Sequence, residues 1–99
     1  MNEKDRAGDT PLLLAGKGGF QAACEALLQS RADPTMANNE GETLIPLVVR
    51  SGSAHAASLV RLLVEAGANA DARDAGGHSA LSHALVARRT ELVRALLEA

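Results

Sequence analysis

The sequence predicts an all-α fold, a solenoid of short stacked helix pairs, on three observations. A block of residues returns twice along the chain, apolar residues recur at helical spacing behind each copy, and the apolar content is almost free of aromatic rings. The 99 residues make one domain's worth of chain, enough for one modest core. Of them 46% are apolar and Phe20 is the single aromatic, so the core must be built from Leu, Val, Ile and Ala. That composition favours close-packed helices over a β-sandwich, whose strands are richer in aromatic and β-branched residues.

Three copies of the block align. Asp5-Arg6-Ala7-Gly8-Asp9-Thr10-Pro11-Leu12 returns as Asn38-Asn39-Glu40-Gly41-Glu42-Thr43-Leu44-Ile45 and as Asp74-Ala75-Gly76-Gly77-His78-Ser79-Ala80-Leu81. The offsets are 33 residues from Thr10 to Thr43 and 36 from Thr43 to Ser79. A first stripe at i, i+3, i+4 follows each copy: Leu12/Ala15/Gly16, Ile45/Val48/Val49 and Leu81/Ala84/Leu85. These read as the buried faces of three short helices. A second stripe runs Phe20/Ala23/Cys24/Leu27/Leu28, Ala56/Leu59/Val60/Leu63/Val64 and Arg89/Leu92/Val93/Leu96/Leu97, the pattern of an amphipathic helix. One domain over 1–99 is therefore expected, with repeats at 5–37, 38–73 and 74–99, the last incomplete. Thr10 to Thr43 spans 33 residues whereas Ala23 to Leu59 spans 36, so three extra residues fall in the second repeat. Ser51-Gly52-Ser53-Ala54-His55, small and turn-forming, is where they fit.

Punctuation agrees with periodicity. Thr10, Thr43 and Ser79 stand where an N-cap hydroxyl accepts from the first helical turn. Pro11 falls at the first helical position, where its missing N–H costs nothing. Pro46 is the third helical residue of its repeat, which leaves Thr43 only the N–H of Ile45 to cap. Gly67 supplies a left-handed residue to end a helix, and its counterpart in the first repeat is Arg31. A non-glycine residue in that conformation costs roughly 1 kcal/mol, so the first repeat is expected to end its second helix less cleanly.

Charge argues against several functions. A net charge of −2 and a lone aromatic give neither a basic field for phosphates nor platforms for base stacking, so nucleic acid is not an expected partner. No stretch is apolar over a length that spans a bilayer, and no segment reads as a cleavable leader. Cys24 is the one cysteine and falls on an apolar stripe, as a core thiol raised in pKa by burial. A cytoplasmic, reducing setting is the expectation.

Gly16-Lys17-Gly18-Gly19 lacks the spaced glycine and following hydroxyl of a phosphate loop and reads as a helix end with its turn. His55, His78 and His83 are scattered by the repeat register, and none pairs with a second His or Cys at metal spacing. Asp71, Asp74 and His78 read as a polar turn. No Ser, His and acid combination falls where the stack would unite it, so no enzymatic activity, cofactor or metal is expected.

The chain resembles the ankyrin repeat family, through Gly8-Asp9-Thr10-Pro11-Leu12-Leu13-Leu14-Ala15 and the Gly67-Ala68-Asn69 ending, over essentially its whole length. The family's histidine after the Thr-Pro-Leu motif is replaced by Leu13, Pro46 and Ser82, and Leu44 stands where proline is usual. The resemblance implies stacked helix pairs with β-hairpin-like fingers between repeats. Arg89 in an otherwise apolar stripe, near Arg88, Arg94 and Glu98, favours a third repeat that caps itself.

It further implies a protein–protein interaction module, adaptor or inhibitor, that docks partners on its finger tips and on the concave face of the first helices. Those positions fall on Arg6, Ala7, Asp9 and Lys17, then Asn39, Glu40, Glu42, Arg50 and Ser51, then Arg73, Ala75, His78, Val86 and Ala87. Because Asp9, Glu40 and Glu42 recur on successive fingers, the expected partner is another protein with a basic patch. The module is expected to be monomeric without its partner. The alternative is a structural unit that stacks end to end, as a homo-oligomer or within a longer repeat protein.

Overall fold

The computed structural model describes residues 2–73 and 76–98. Among these, six helices run in order: α1 (Pro11–Gly18), α2 (Gln21–Gln29), α3 (Leu44–Arg50), α4 (Ala56–Glu65), α5 (Ala80–Val86) and α6 (Thr90–Leu97). They form three antiparallel pairs. The first helices lie side by side, α1 on α3 and α3 on α5, and the second helices make the other layer, with α4 packed closely on α6. No described helix is long and apolar enough to cross a membrane.

The core follows the stripes. Leu12, Ile45, Val48, Leu59, Val60, Leu63 and Leu92 are buried where the layers meet, and Cys24 is buried among them. Burial is the main reason the Cys24 thiol sits above its usual pKa, helped by the Glu25 charge nearby. The stripes mark apolar faces, yet each end of the stack leaves part of its stripe in water. Phe20 is 63% exposed, Leu85 58% and Leu97 66%, whereas Val49, in the register of Leu85, is buried.

Caps divide two against one. Thr10 Oγ1 accepts from Leu13 N–H at 3.2 Å, and Ser79 Oγ accepts from Ser82 N–H at 3.1 Å. Pro46 occupies the same register and has no N–H to give. Thr43 Oγ1 is accordingly buried without a partner, and the expected bond from Ile45 is not made.

Arg31 is left-handed at φ 69°, like Gly67 at φ 109°. The expectation of a less clean helix end is corrected. Arg31 N–H to Leu28 O and Ala32 N–H to Leu27 O repeat the bonds of Gly67 to Val64 and Ala68 to Leu63. The same Schellman closure is reached, and the cost is carried as backbone strain.

The inserted residues form the loop 51–55 between α3 and α4, as their offsets require. Arg89 does not cap the end of the stack. It turns back and donates Nη2 to Ser53 O at 2.5 Å, while Ser53 Oγ donates to Gly19 O at 3.3 Å. The inserted loop of the second pair thus braces the first pair to the third. An arginine on an apolar stripe and a three-residue insertion, separate oddities in the sequence, are two halves of one contact.

Candidate functional site

Each of the first two fingers is closed by an Asx side chain at its base. Asp5 Oδ1 accepts from the N–H of Ala7 at 3.0 Å and of Asp9 at 2.9 Å. Asn38 Oδ1 accepts from Glu40 at 3.0 Å and Glu42 at 2.9 Å in the same way. Such local bonds let a short segment turn without a sheet partner. The third finger holds one isolated bridge, Arg73 with Ser79, and no strand forms among the described residues.

A cation eight residues on answers the acid at each of the first two finger bases. Asp9 Oδ2 pairs with Lys17 Nζ at 2.6 Å, and Glu42 Oε2 with Arg50 Nη1 at 3.3 Å. Asn38 joins the two units, donating Nδ2 to Asp9 Oδ1 at 3.0 Å and to Glu42 Oε1 at 2.8 Å. Asn39 adds backbone contact by donating N–H to Ala7 O and Nδ2 to Arg6 O, both at 2.9 Å. Gly8, at φ 80°, makes this approach possible, because a Cβ there would collide with Asn39.

Burial alone would raise the Asp9 carboxyl, but hydrogen bonds from Lys17 and Asn38 and the Lys17 charge outweigh it and hold it below the usual range. The hydrogen bond to Asp9 lifts Lys17 above its usual value, against desolvation and with help from the charges of Asp9, Glu42 and Asp5.

This geometry corrects the expected surface. Asp9 is 3% exposed and Glu42 9%, each taken up by an ion pair within its own repeat and by the Asn38 amide that links the two repeats. Neither carboxylate lies open at the surface. The cations are the exposed members, Lys17 at 37% and Arg50 at 49% of their side chains, and with Leu47 and Ser51 they rim a shallow groove over Glu42. Ser51 is half-buried and donates its hydroxyl to Val48 O at 2.6 Å.

Arg6, Asn39 and Glu40 are exposed at the finger tips. The third repeat breaks the pattern, with exposed His78 in the register of Asp9 and Glu42, and Val86, 85% exposed, in that of Lys17 and Arg50. The rings of His78 and His83 lie 5.6 Å apart. Arg73 is exposed, donates to Gly77 O at 2.8 Å and borders a recess with Leu81 and Leu97 rather than the groove at Lys17. Ala75, also expected at a finger tip, lies outside the described residues, as does Asp74. No group of three or more His, Cys, Asp or Glu among the described residues stands close enough to hold a metal ion.

Sequence reasoning passed over Asn38, Phe20 and Ser53. A signal for the buried pairs was present in the recurrence of acid and cation eight residues apart at one register, Asp9 with Lys17 and Glu42 with Arg50.

A family model described as ankyrin repeats, in three copies, matches residues 12–99. The chain belongs to the ankyrin repeat family. Among solved structures, an ankyrin repeat domain from Acinetobacter baumannii superimposes with TM-score 0.89 at 27% identity, over 98% of this chain and 50% of the other. A chain of the complex between a predatory endopeptidase and an immunity protein from Bdellovibrio bacteriovorus superimposes with TM-score 0.83 at 29% identity, over 98% and 49%. This chain thus spans about half the length of either. No curated protein matches it. Ankyrin repeats are generally protein–protein interaction modules, and the fold is typically a non-catalytic binding one.

Proposed function

We propose that this ankyrin chain binds a partner protein across its finger tips and the concave face of α1, α3 and α5, as an adaptor or an inhibitor. The observation that carries the reading is the matched exposure of Lys17 and Arg50, one on each of two successive first helices, above carboxylates that are not themselves accessible. A partner approaching this face meets ammonium and guanidinium donors first. The preferred partner chemistry is therefore acidic, the reverse of what Asp9, Glu40 and Glu42 suggest when all three are placed on the surface. Arg6 at the first finger and Arg73 at the third add to the donor set, and Glu40 opposes it.

The Bdellovibrio likeness, in which an endopeptidase is held in complex with an immunity protein, supports the inhibitor form of the reading. The reduced, buried Cys24 thiol fits a cytoplasmic setting.

The test is affinity for partners recovered by cross-linking at the finger tips. Arg6→Glu and Arg50→Gln should each weaken binding by about tenfold, and Glu40→Lys should leave it unchanged or tighter. Loss on Glu40→Lys with indifference to Arg50→Gln would reverse the sign of the partner and sink the reading.

A second reading, end-to-end stacking into a homo-oligomer, is favoured by one observation. Leu85 is exposed on the last pair at a position where Val49 is buried, and Leu97 at one where Val64 is half-buried. Sedimentation decides: the interaction-module reading gives a monomer in the absence of partner, and the stacking reading gives a mass that rises with concentration.

A further inference from the structure

The outer helices leave a groove that the concave-face reading does not use. α2 lies against α4 over much less of its length than α4 lies against α6. Phe20, Ala22, Glu25 and His55 line one end of the resulting trough, and Glu25, Leu28, Leu62 and Glu65 line its continuation. The residues from α2 and α4 recur at i, i+3, so the trough follows the two helix axes rather than crossing them.

Three features give the groove a direction of recognition. Phe20 is the only aromatic in the chain and stands 63% exposed at one end. Its ring lies over Gly18, where any Cβ would collide with it, so the ring rests against the backbone of α1's last turn. Large rings left in water and held in place are the usual anchors of interfaces. The formal charges lining the trough are Glu25 and Glu65, both negative, and no lysine or arginine lines it. Glu25 takes one hydrogen bond, from Gln21 at 3.2 Å, and neither carboxylate is ion-paired among the described residues.

We propose that this outer groove binds a short amphipathic basic helix of a partner protein, its apolar side chains over Phe20, Leu28 and Leu62 and its lysines or arginines facing Glu25 and Glu65. A third helix laid between two others is the packing such a trough admits, with its anchors at i, i+3, i+4 and i+7. The nine residues of α2 set the engaged length at about 13 Å. This site is separate from Lys17 and Arg50 in position and opposite in charge, so it stands or falls independently of the concave-face reading.

The experiment uses the whole chain, labelled with nitrogen-15, and two amidated peptides of about 14 residues with the same leucine stripe at helical spacing. One carries lysines on both flanks and the other glutamates. The lysine peptide should shift the amides of α2 and α4. The glutamate peptide should bind at least about tenfold more weakly. Phe20→Ala and Glu65→Lys should each weaken the lysine peptide by at least about tenfold, with helical circular dichroism unchanged because both side chains are exposed. Equal binding of the two peptides, shifts centred on α1 and α3, indifference to Phe20→Ala, or no binding at millimolar peptide would each overturn the proposal.

Discussion

Asn38 donates its amide to Asp9 across the boundary between the first two repeats, at 3.0 Å, while its carbonyl oxygen closes the turn of its own finger. One buried side chain therefore shapes the second finger and fastens it to the first. Replacing Asn38 by alanine leaves two buried carboxylates short of a donor and two backbone N–H groups short of an acceptor. Urea denaturation should show a loss of about 2–3 kcal/mol, and Asn38→Asp at pH 7 should lose more, because it sets a third carboxylate between Asp9 and Glu42.

The Asp9–Lys17 pair sets a pH window. Asp9 has its folded pKa lowered, so its contribution is fully present above the ordinary aspartate value of about 3.9 and fades as pH falls through the lowered value. Lys17 has its folded pKa raised, so its contribution is fully present below the ordinary lysine value of about 10.4 and fades as pH rises through the raised one. The coupling from an Asp9→Asn, Lys17→Met double-mutant cycle should be constant through neutral pH and vanish at both extremes. Coupling independent of pH would show that the contact is not ionic.

Leu63 and Leu85 separate what the apolar stripes say from what they leave open. Leu63 is fully buried between neighbouring pairs, so Leu63→Ala should cost about 2–5 kcal/mol. Leu85 shares the register of buried Val49 but is 58% exposed, and Leu85→Ala should change monomer stability by under about 0.5 kcal/mol. A large loss at Leu85, growing with protein concentration, would instead reveal an end-to-end assembly.

That contrast also measures how much was legible in the sequence. Helix pairs, caps at Thr10 and Ser79, the turn at Gly67 and the loop at 51–55 all follow from residues close in the chain, so local rules find them. Exposure of Leu85 and Phe20 depends on whether a neighbour lies over them, which periodicity does not encode. Asp9 and Glu42 were placed at the surface because charge defaults to water, whereas their fate is set by Asn38, 29 residues away from Asp9 and four from Glu42. The resemblance located the finger positions and the concave face, but not which members of each ion pair would remain accessible.

The N-caps give a comparison within one molecule. Thr10→Val removes a working cap and should cost about 1–2 kcal/mol. Thr43→Val removes a buried oxygen that has no partner because Pro46 sits where Leu13 and Ser82 supply an N–H. It should be neutral or stabilising by up to about 1 kcal/mol. Equal losses at both sites would mean that Thr43 finds a donor in solution.

The brace formed by Arg89 and the inserted loop predicts a dependence between two changes that are distant in sequence. Arg89 reaches Ser53 with one guanidinium nitrogen, and its Nη1 is buried without a partner, so the side chain depends on that single carbonyl. Deleting Gly52, Ser53 and Ala54 would restore the 33-residue spacing of the second helices and strand a part-buried charge, at a cost of about 2–4 kcal/mol. Arg89→Leu alone should cost less, about 1 kcal/mol, since it trades one hydrogen bond for apolar burial at a stripe position. Combined, the deletion and Arg89→Leu should recover most of the loss, because the second change removes the charge that the first leaves unpaired. Thermal denaturation of the four proteins reads the cycle directly. Simple additivity would show that Arg89 and the insertion arose as unrelated features, with the contact between them contributing nothing.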